Sequence, residues 1–152
     1  MEQNGRVVTM GAVLFSPRCT GPQYFGGIIP DAFIREWNSG GSVHVVSQAE
    51  LLPIVSVRLT FEALLVHAWV IYFIDNDGVK AALVNGNTKC LASMKLLALA
   101  ARLEMSTRSN SWYTRVPSPS NIADAPSRLD YTVLQSIQNS RFVEPILPDE
   151  VM

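Results

Sequence analysis

The sequence has few cysteines and no excess of positive charge. Lys and Arg number 12 against 13 Asp and Glu, for a formal net charge of −1. No overall positive field is therefore available to hold a phosphate backbone, and any nucleic-acid contact must be local or supplied by a partner. The only cysteines are Cys19 and Cys90, which form no CxxC pair, so reduced thiols are expected rather than a disulfide or a zinc site.

Long apolar segments are also missing. The apolar stretch at residues 64–74 is interrupted by His67 and followed by Asp75, which leaves it well short of the roughly 20 residues of a membrane span. The first ten residues, MEQNGRVVTM, lack the basic and apolar regions of a secretory signal. We therefore expect a soluble protein of the cytoplasm or nucleus that is not secreted and has no membrane partner.

The residues that are present suit one globular α/β domain. The chain has 152 residues, of which 48% are hydrophobic, enough for a sizeable core. Early strands followed by alternating helices and strands predict a mixed sheet, antiparallel first and parallel later, with helices packed on it. The predicted strands cover residues 6–15, 23–29, 69–74 and 112–116, and the predicted helices cover 30–37, 47–65, 77–84 and 88–105, with a helix end at 38–41 and an extended run at 43–46.

Three local patterns refine this outline. Ser47 and Glu50 fit the S-x-x-E capping box that begins a helix. The near-continuous apolar run at 69–74 is typical of a central strand covered on both faces. The helix at 88–105 carries one apolar face, formed by Leu91, Met94, Ala98 and Ala101.

Three acids occupy positions that suggest a metal site. Asp75 directly follows the strand at 69–74, Glu50 lies near the start of its helix, and Asp124 follows the last strand. Ligands of α/β sheets bind at the carboxyl ends of parallel strands, and clustered carboxylates favour hard divalent cations. Each acid also has a simpler interpretation on local pattern: Glu50 as half of a capping box, Asp124 at the positive end of a helix, and Asp75 as an ordinary strand-end residue.

Four segments resemble one family. SQAEL at 47–51 resembles the N-x-x-A-E-L helix start of ribonuclease H proteins, and IYFIDN at 71–76 resembles their hydrophobic run followed by D-S or D-N. WYTRVPSPSNIADAPSR at 112–128 is similar to the closing motif V-P-x-x-x-N-x-A-D-x-x-S-R of the RNase H domains of retroelement reverse transcriptases. GAVL at 11–14 resembles the second strand of that family, so the likeness covers roughly residues 5–130.

The resemblance implies an RNase H-like domain at residues 1–131 and a docked or loose tail at 132–152. Family members cut the RNA strand of RNA–DNA hybrids with two Mg²⁺ or Mn²⁺ ions held by four acids. Glu50, Asp75 and Asp124 would be the second, third and fourth of these, and Asn121 would stiffen the loop before Asp124. The implied partners are the hybrid and an upstream reverse transcriptase domain.

One departure from the family bears on activity. The first acid and the strand that carries it would fall at or before Met1, so we expect an N-terminally truncated domain with little or no activity. The open alternatives are a non-catalytic RNase H-fold module that contacts nucleic acid or serves a structural role and, from DNDGV at 75–79, a haloacid dehalogenase-type phosphatase. Arg115 and Arg128 are interpreted either as solvated surface residues or as phosphate contacts.

Overall fold

The computed structural model describes residues 7–39 and 45–149 and has an α/β architecture with antiparallel and parallel strands. The strands are β1 (Thr9–Leu14), β2 (Gln23–Ile28), β3 (Trp69–Ile74), β4 (Asn110–Arg115) and β5 (Arg141–Phe142). The helices are α1 (Asp31–Ser39), α2 (Val46–Thr60), α3 (Glu62–Leu65), α4 (Asp77–Asn85), α5 (Leu91–Thr107), α6 (Asp124–Ser127) and α7 (Thr132–Ser136), with a 3-10 turn at Ser118–Ser120.

Most predicted elements are present, with shifts at their ends. The long helix predicted at 47–65 is divided at Phe61 into α2 and α3. Residues 40–41 of the predicted helix end and residues 43–44 of the predicted extended run lie outside the described residues. Val46, the last residue of that run, begins α2, so an extended conformation there is wrong.

The strands pair as two separate sheets within the described ranges. β1 and β2 are antiparallel, with Thr9 opposite Ile28, and β5 is parallel to β2, which gives the order β1-β2-β5. β3 and β4 form a parallel pair, with Ile71 opposite Trp112. The expected mixture of antiparallel and parallel strands is confirmed. In this part of the chain, β1 pairs only with β2 and β3 only with β4, so each keeps one edge without a strand partner.

A single core nevertheless joins the two sheets. Met10 and Phe25 from β1 and β2 belong to the same buried cluster as Tyr72 and Ile74 from β3. The residues between them come from α2 and α5 and include Leu51, Leu52, Val55, Leu96 and Leu97. Because burial of apolar area is the main stabilising term, this shared core holds the sheets together in place of strand pairing.

A buried arginine fixes the inner face of the β3–β4 pair to the helices. Arg58 of α2 donates to the Ala100 carbonyl oxygen at 2.6 Å and to the hydroxyls of Tyr113 and Ser111. Its guanidinium also lies 5.1 Å from the centre of the Tyr72 ring. Hydrogen bonds and cation–π contact together offset part of the cost of burying this charge.

The C-terminal segment is docked rather than loose. β5 extends the first sheet, and Leu134 of α7 is fully buried. Further along, Ser56 Oγ donates to the Ile146 carbonyl oxygen at 2.7 Å, and the Ile146 amide donates to Thr60 Oγ1 at 2.8 Å. The segment therefore contacts both the first sheet and α2.

The outer face of β1 and β2 is closed by α6, which precedes the C-terminal segment in the chain. A Cβ atom added at Gly11 would lie 2.3 Å from the Ser127 amide nitrogen, and one added at Gly26 would lie 2.3 Å from the Pro126 carbonyl oxygen. Only glycine leaves room for backbone at that distance, so these two positions let α6 lie directly on the strands.

Two sequence-based expectations about burial are wrong. β3 has the predicted bounds, but one face is largely exposed instead of covered, because no part of the described chain packs on it. In α5 the buried side is formed by Ser93, Leu96, Leu97 and Ala100, while Leu91 is exposed. α5 is apolar on more than one side, so its packing against α2, rather than its periodicity, selects the buried face.

Candidate functional site

Asp75 occupies the turn between β3 and α4, at the carboxyl end of the parallel pair. The turn is fixed by Asn76, whose side-chain oxygen accepts from the Val79 amide at 3.0 Å and so caps α4. The Asp75 carboxylate is half-buried, and its Oδ2 accepts a hydrogen bond from Asn121 Nδ2 at 3.1 Å. The end of β3, the Asn76 cap and the hydrogen bond from Asn121 together hold the Asp75 carboxylate in place at the edge of the sheet.

Glu50 lies in the second turn of α2, not in a capping box. Val45 is the N-cap of this helix and makes no side-chain cap hydrogen bond, so the predicted cap at Ser47 is wrong. α2 begins before Ser47, which places that serine inside the first turn. This removes the simpler explanation for Glu50 that the sequence pattern offered.

The pKa of Glu50 is raised by burial and by the charges of two other acids. The Glu50 residue is exposed to solvent, but neighbouring atoms partly surround its carboxyl group. This burial raises the pKa of the carboxyl above the ordinary value, and the negative charges of Asp75 and Asp124 raise it further. Charge interactions of this kind weaken rapidly with distance in a hydrated protein. The three acids singled out in the sequence therefore share one neighbourhood, although they are far apart along the chain.

Asp124 begins α6 and is tied to the same loop as Asp75. Its amide donates to the Asn121 carbonyl oxygen at 3.1 Å, and Asn121 Oδ1 accepts from the Ala123 amide at 3.0 Å. Asn121 thus orders the loop before Asp124 while its amide group contacts Asp75. This arrangement agrees with the loop-stiffening role expected for Asn121.

Arginines accompany two acids at this edge. Arg115 Nε lies 2.9 Å from Asp77 Oδ1, and Arg128 Nε lies 3.4 Å from Asp124 Oδ2. Both pairs are solvent-exposed and contribute little to stability. No ion pair was predicted for these arginines from the sequence. Arg115 falls opposite Ile74 in the parallel register and so lies beside the Asp75 turn. The Asp77–Arg115 pair also weakens the phosphatase interpretation, in which Asp77 would be a free acid or base.

The donor chemistry fits a hard divalent cation, but the acids do not form a closed cage. Carboxylate oxygens and an amide are ligands suited to Mg²⁺ or Mn²⁺. Burial is the main cause of the raised pKa of Glu50, and a bound cation would relieve the repulsion from Asp75 and Asp124 that adds to it. Within residues 7–39 and 45–149, however, no group of three or more Asp, Glu, His or Cys side chains is close enough to hold a metal ion. The charges of Asp75 and Asp124 act on Glu50, but among the described residues the three acids do not form a metal centre.

Comparisons with known proteins add no family to this description. No protein-family model, curated protein or solved structure matches the chain. Within the part of the chain that the structure describes, no helix is long and apolar enough to cross a membrane.

Proposed function

We propose that this chain is an RNase H-like domain derived from a retroelement reverse transcriptase polyprotein. Its ancestral reaction would be metal-dependent hydrolysis of the RNA strand of an RNA–DNA hybrid. The observation that carries the proposal is the shared electrostatic neighbourhood of Glu50, Asp75 and Asp124 at the carboxyl end of a parallel strand pair. These are the same three acids that the sequence motifs single out.

Each residue of the site has a separate task in this proposal. Glu50, Asp75 and Asp124 would hold the cations, which when bound supply an activated water and stabilise the leaving oxygen. Asn121 is a positioning residue, because it orders the loop of Asp124 and donates to Asp75. The raised pKa of Glu50 means that metal binding and proton release from this carboxyl are coupled.

The unpaired strand edges support low activity in this chain. β1 and β3 each have an edge with no strand partner in the described ranges, while residues of both strands belong to one core. A further strand placed between these edges would join the two sheets. If that strand carried a fourth carboxylate near Asp75, it would complete the set of acids for two cations.

The test is cleavage of a labelled RNA–DNA hybrid with Mg²⁺ or Mn²⁺. This chain is compared with a version extended at its N-terminus by a strand-length segment that carries an aspartate. We expect cleavage only by the extended form and its loss in Asp75→Asn. The matched control is Asp77→Asn, because Asp77 is exposed at the same edge but paired with Arg115, and this variant should keep the cleavage activity.

Thermal unfolding with and without Mg²⁺ gives a readout that does not require turnover. Millimolar Mg²⁺ should raise the Tm of the extended form and have less effect on its Asp75→Asn variant, since a ligand that binds only the folded state stabilises it. Cleavage by the 152-residue chain that Asp75→Asn removes would contradict the proposed low activity.

A second candidate is a non-catalytic module with the same ancestry. The lack of a three-ligand metal group among the described residues favours it, as does the net charge of −1, which gives no independent grip on a hybrid. Absence of both cleavage and a Mg²⁺-dependent Tm shift in the extended form would favour this function over the nuclease. An attached reverse transcriptase domain would then supply the nucleic-acid contacts.

A further inference from the structure

Four large apolar side chains project into solvent from the β3–β4 pair. Trp69 is 86% exposed, Ile71 59%, Phe73 64% and Trp112 71%. They lie on one face, because alternate residues of a strand point the same way and Ile71 is opposite Trp112 in the register. We call these four residues the outer-face cluster. The other face of β3 carries Tyr72, which is buried in the core.

The area of the outer-face cluster is large for a monomer. Aromatic side chains each carry about 150–250 Å² of surface, so at these exposures the cluster leaves on the order of 500 Å² of apolar area in water. Monomeric proteins rarely leave a contiguous apolar patch of this size without a binding role.

The two strands that carry the outer-face cluster have almost no charged residues. β3 contains no charged residue, and the only one in β4 is Arg115, which is paired with Asp77. The remaining β4 positions on the outer face are Asn110 and Thr114. Stacking of nucleic-acid bases on aromatic residues normally needs lysines or arginines beside them to hold the phosphates. The chemistry of this face therefore suits an apolar protein surface better than a nucleic acid.

We propose that the outer-face cluster binds the same cluster on a second copy of the chain. In a two-fold symmetric interface the same patch of both copies meets, so a patch with charges of one sign would repel itself while a neutral apolar patch does not. Two such faces would bury on the order of 1,000 Å² in total, which reaches the lower range of specific interfaces. Stacked sheets separated by about 10 Å leave room for large side chains to interdigitate. This dimer does not depend on the metal site.

The test is the oligomeric state of the full chain by sedimentation equilibrium at roughly 1–100 µM. We expect a monomer–dimer equilibrium. Ile71→Thr should raise the dimer Kd by about tenfold or more, since it removes apolar area from the centre of the interface. Ile28→Thr is the matched control: Ile28 is also a strand isoleucine and is 56% exposed, but it lies on β2. This control should change the Kd less than about twofold.

Tryptophan fluorescence gives a second measurement. Trp37 is fully buried, whereas Trp69 and Trp112 lie in the outer-face cluster. Acrylamide quenching should therefore fall with rising chain concentration in the unmodified protein and in Ile28→Thr, but not in Ile71→Thr. A chain that stays monomeric over the whole range, or equal effects of the two threonine substitutions, would overturn the proposal.

Discussion

The outer faces of the two sheets differ in how they are covered. The face formed by β1 and β2 is closed by α6, whose backbone lies against Gly11 and Gly26. The face formed by β3 and β4 carries the outer-face cluster and is open. Both sheets bury their inner faces in one core, so the difference arises only on the outer side. Glycines on the outer face of β1 and β2 leave room for the backbone of α6. Bulky side chains on the outer face of β3 and β4 leave apolar area exposed for a partner.

Truncating one phenylalanine in each sheet should give the largest difference in stability. Phe25 of β2 is fully buried, and Phe25→Ala should lower the free energy of unfolding by about 3–5 kcal/mol through lost burial and a cavity. Phe73 of β3 is largely exposed, and Phe73→Ala should change the free energy of unfolding by about 0.5 kcal/mol or less. Urea unfolding at low chain concentration measures both. Similar losses of unfolding free energy in Phe25→Ala and Phe73→Ala would show that the outer face of β3 is covered in solution.

The second comparison tests the closure of the β1–β2 face. A Cβ at Gly26 would overlap the Pro126 carbonyl oxygen, so Gly26→Ala should lower the free energy of unfolding by about 1–3 kcal/mol as α6 shifts. The control is Gly27→Ala on the same strand, where the nearest atom is Pro145 Cγ at 3.5 Å. Gly27→Ala should change the free energy of unfolding by no more than about 0.5 kcal/mol. Equal effects in urea unfolding would mean that α6 does not rest on β2.

The smallest expected effect concerns Glu50 and its interaction with Asp75 and Asp124. Burial and two neighbouring acids hold the pKa of Glu50 above its ordinary value of 4.5, so the folded chain binds this proton more tightly than the unfolded chain does. The contribution of Glu50 to stability is therefore lost as pH rises through the raised pKa. Relative to the unmodified protein, Glu50→Gln should gain stability as the pH rises above the ordinary value of 4.5.

The control for this pH dependence removes one of the charges that causes it. In an Asp75→Asn background, Glu50→Gln should gain less stability at neutral pH, because the Asp75 charge contributes to the raised pKa. Unfolding free energies of the four chains over the pH series measure the coupling. A difference between Glu50→Gln and the unmodified chain that does not change with pH would contradict the shared neighbourhood of the acids.

Much of the local structure could be predicted from residue pattern. The apolar run at Trp69–Ile74 gave the bounds of β3, and Asn85–Gly86 marked the end of α4, where Gly86 adopts a left-handed conformation with φ of 66°. The expected position of Asp75 after a parallel strand also agrees with the structure. These features depend on short-range preferences, which the neighbouring residues express directly.

The start of α2 shows where the local pattern fails. Ser47 and Glu50 match a capping box, yet α2 begins one residue earlier and Ser47 does not cap it. The helix start follows from the packing of Leu51, Leu52 and Val55 in the core. Tertiary burial outweighs a cap, because a cap contributes about 1 kcal/mol and a buried leucine more than that.

The order of strands and helices and the choice of the three acids follow from the residue pattern, because periodicity, turn residues and motif spacing are local properties of the chain. Three further features follow from packing between distant segments: α5 buries its Leu96 side, one face of β3 is open, and the charges of Asp75 and Asp124 act on Glu50. These outcomes depend on which distant segments meet. A strand of six apolar residues has the same pattern whether one face or both are covered, and the difference between the outer faces of the two sheets comes from the docking of α6 on β1 and β2.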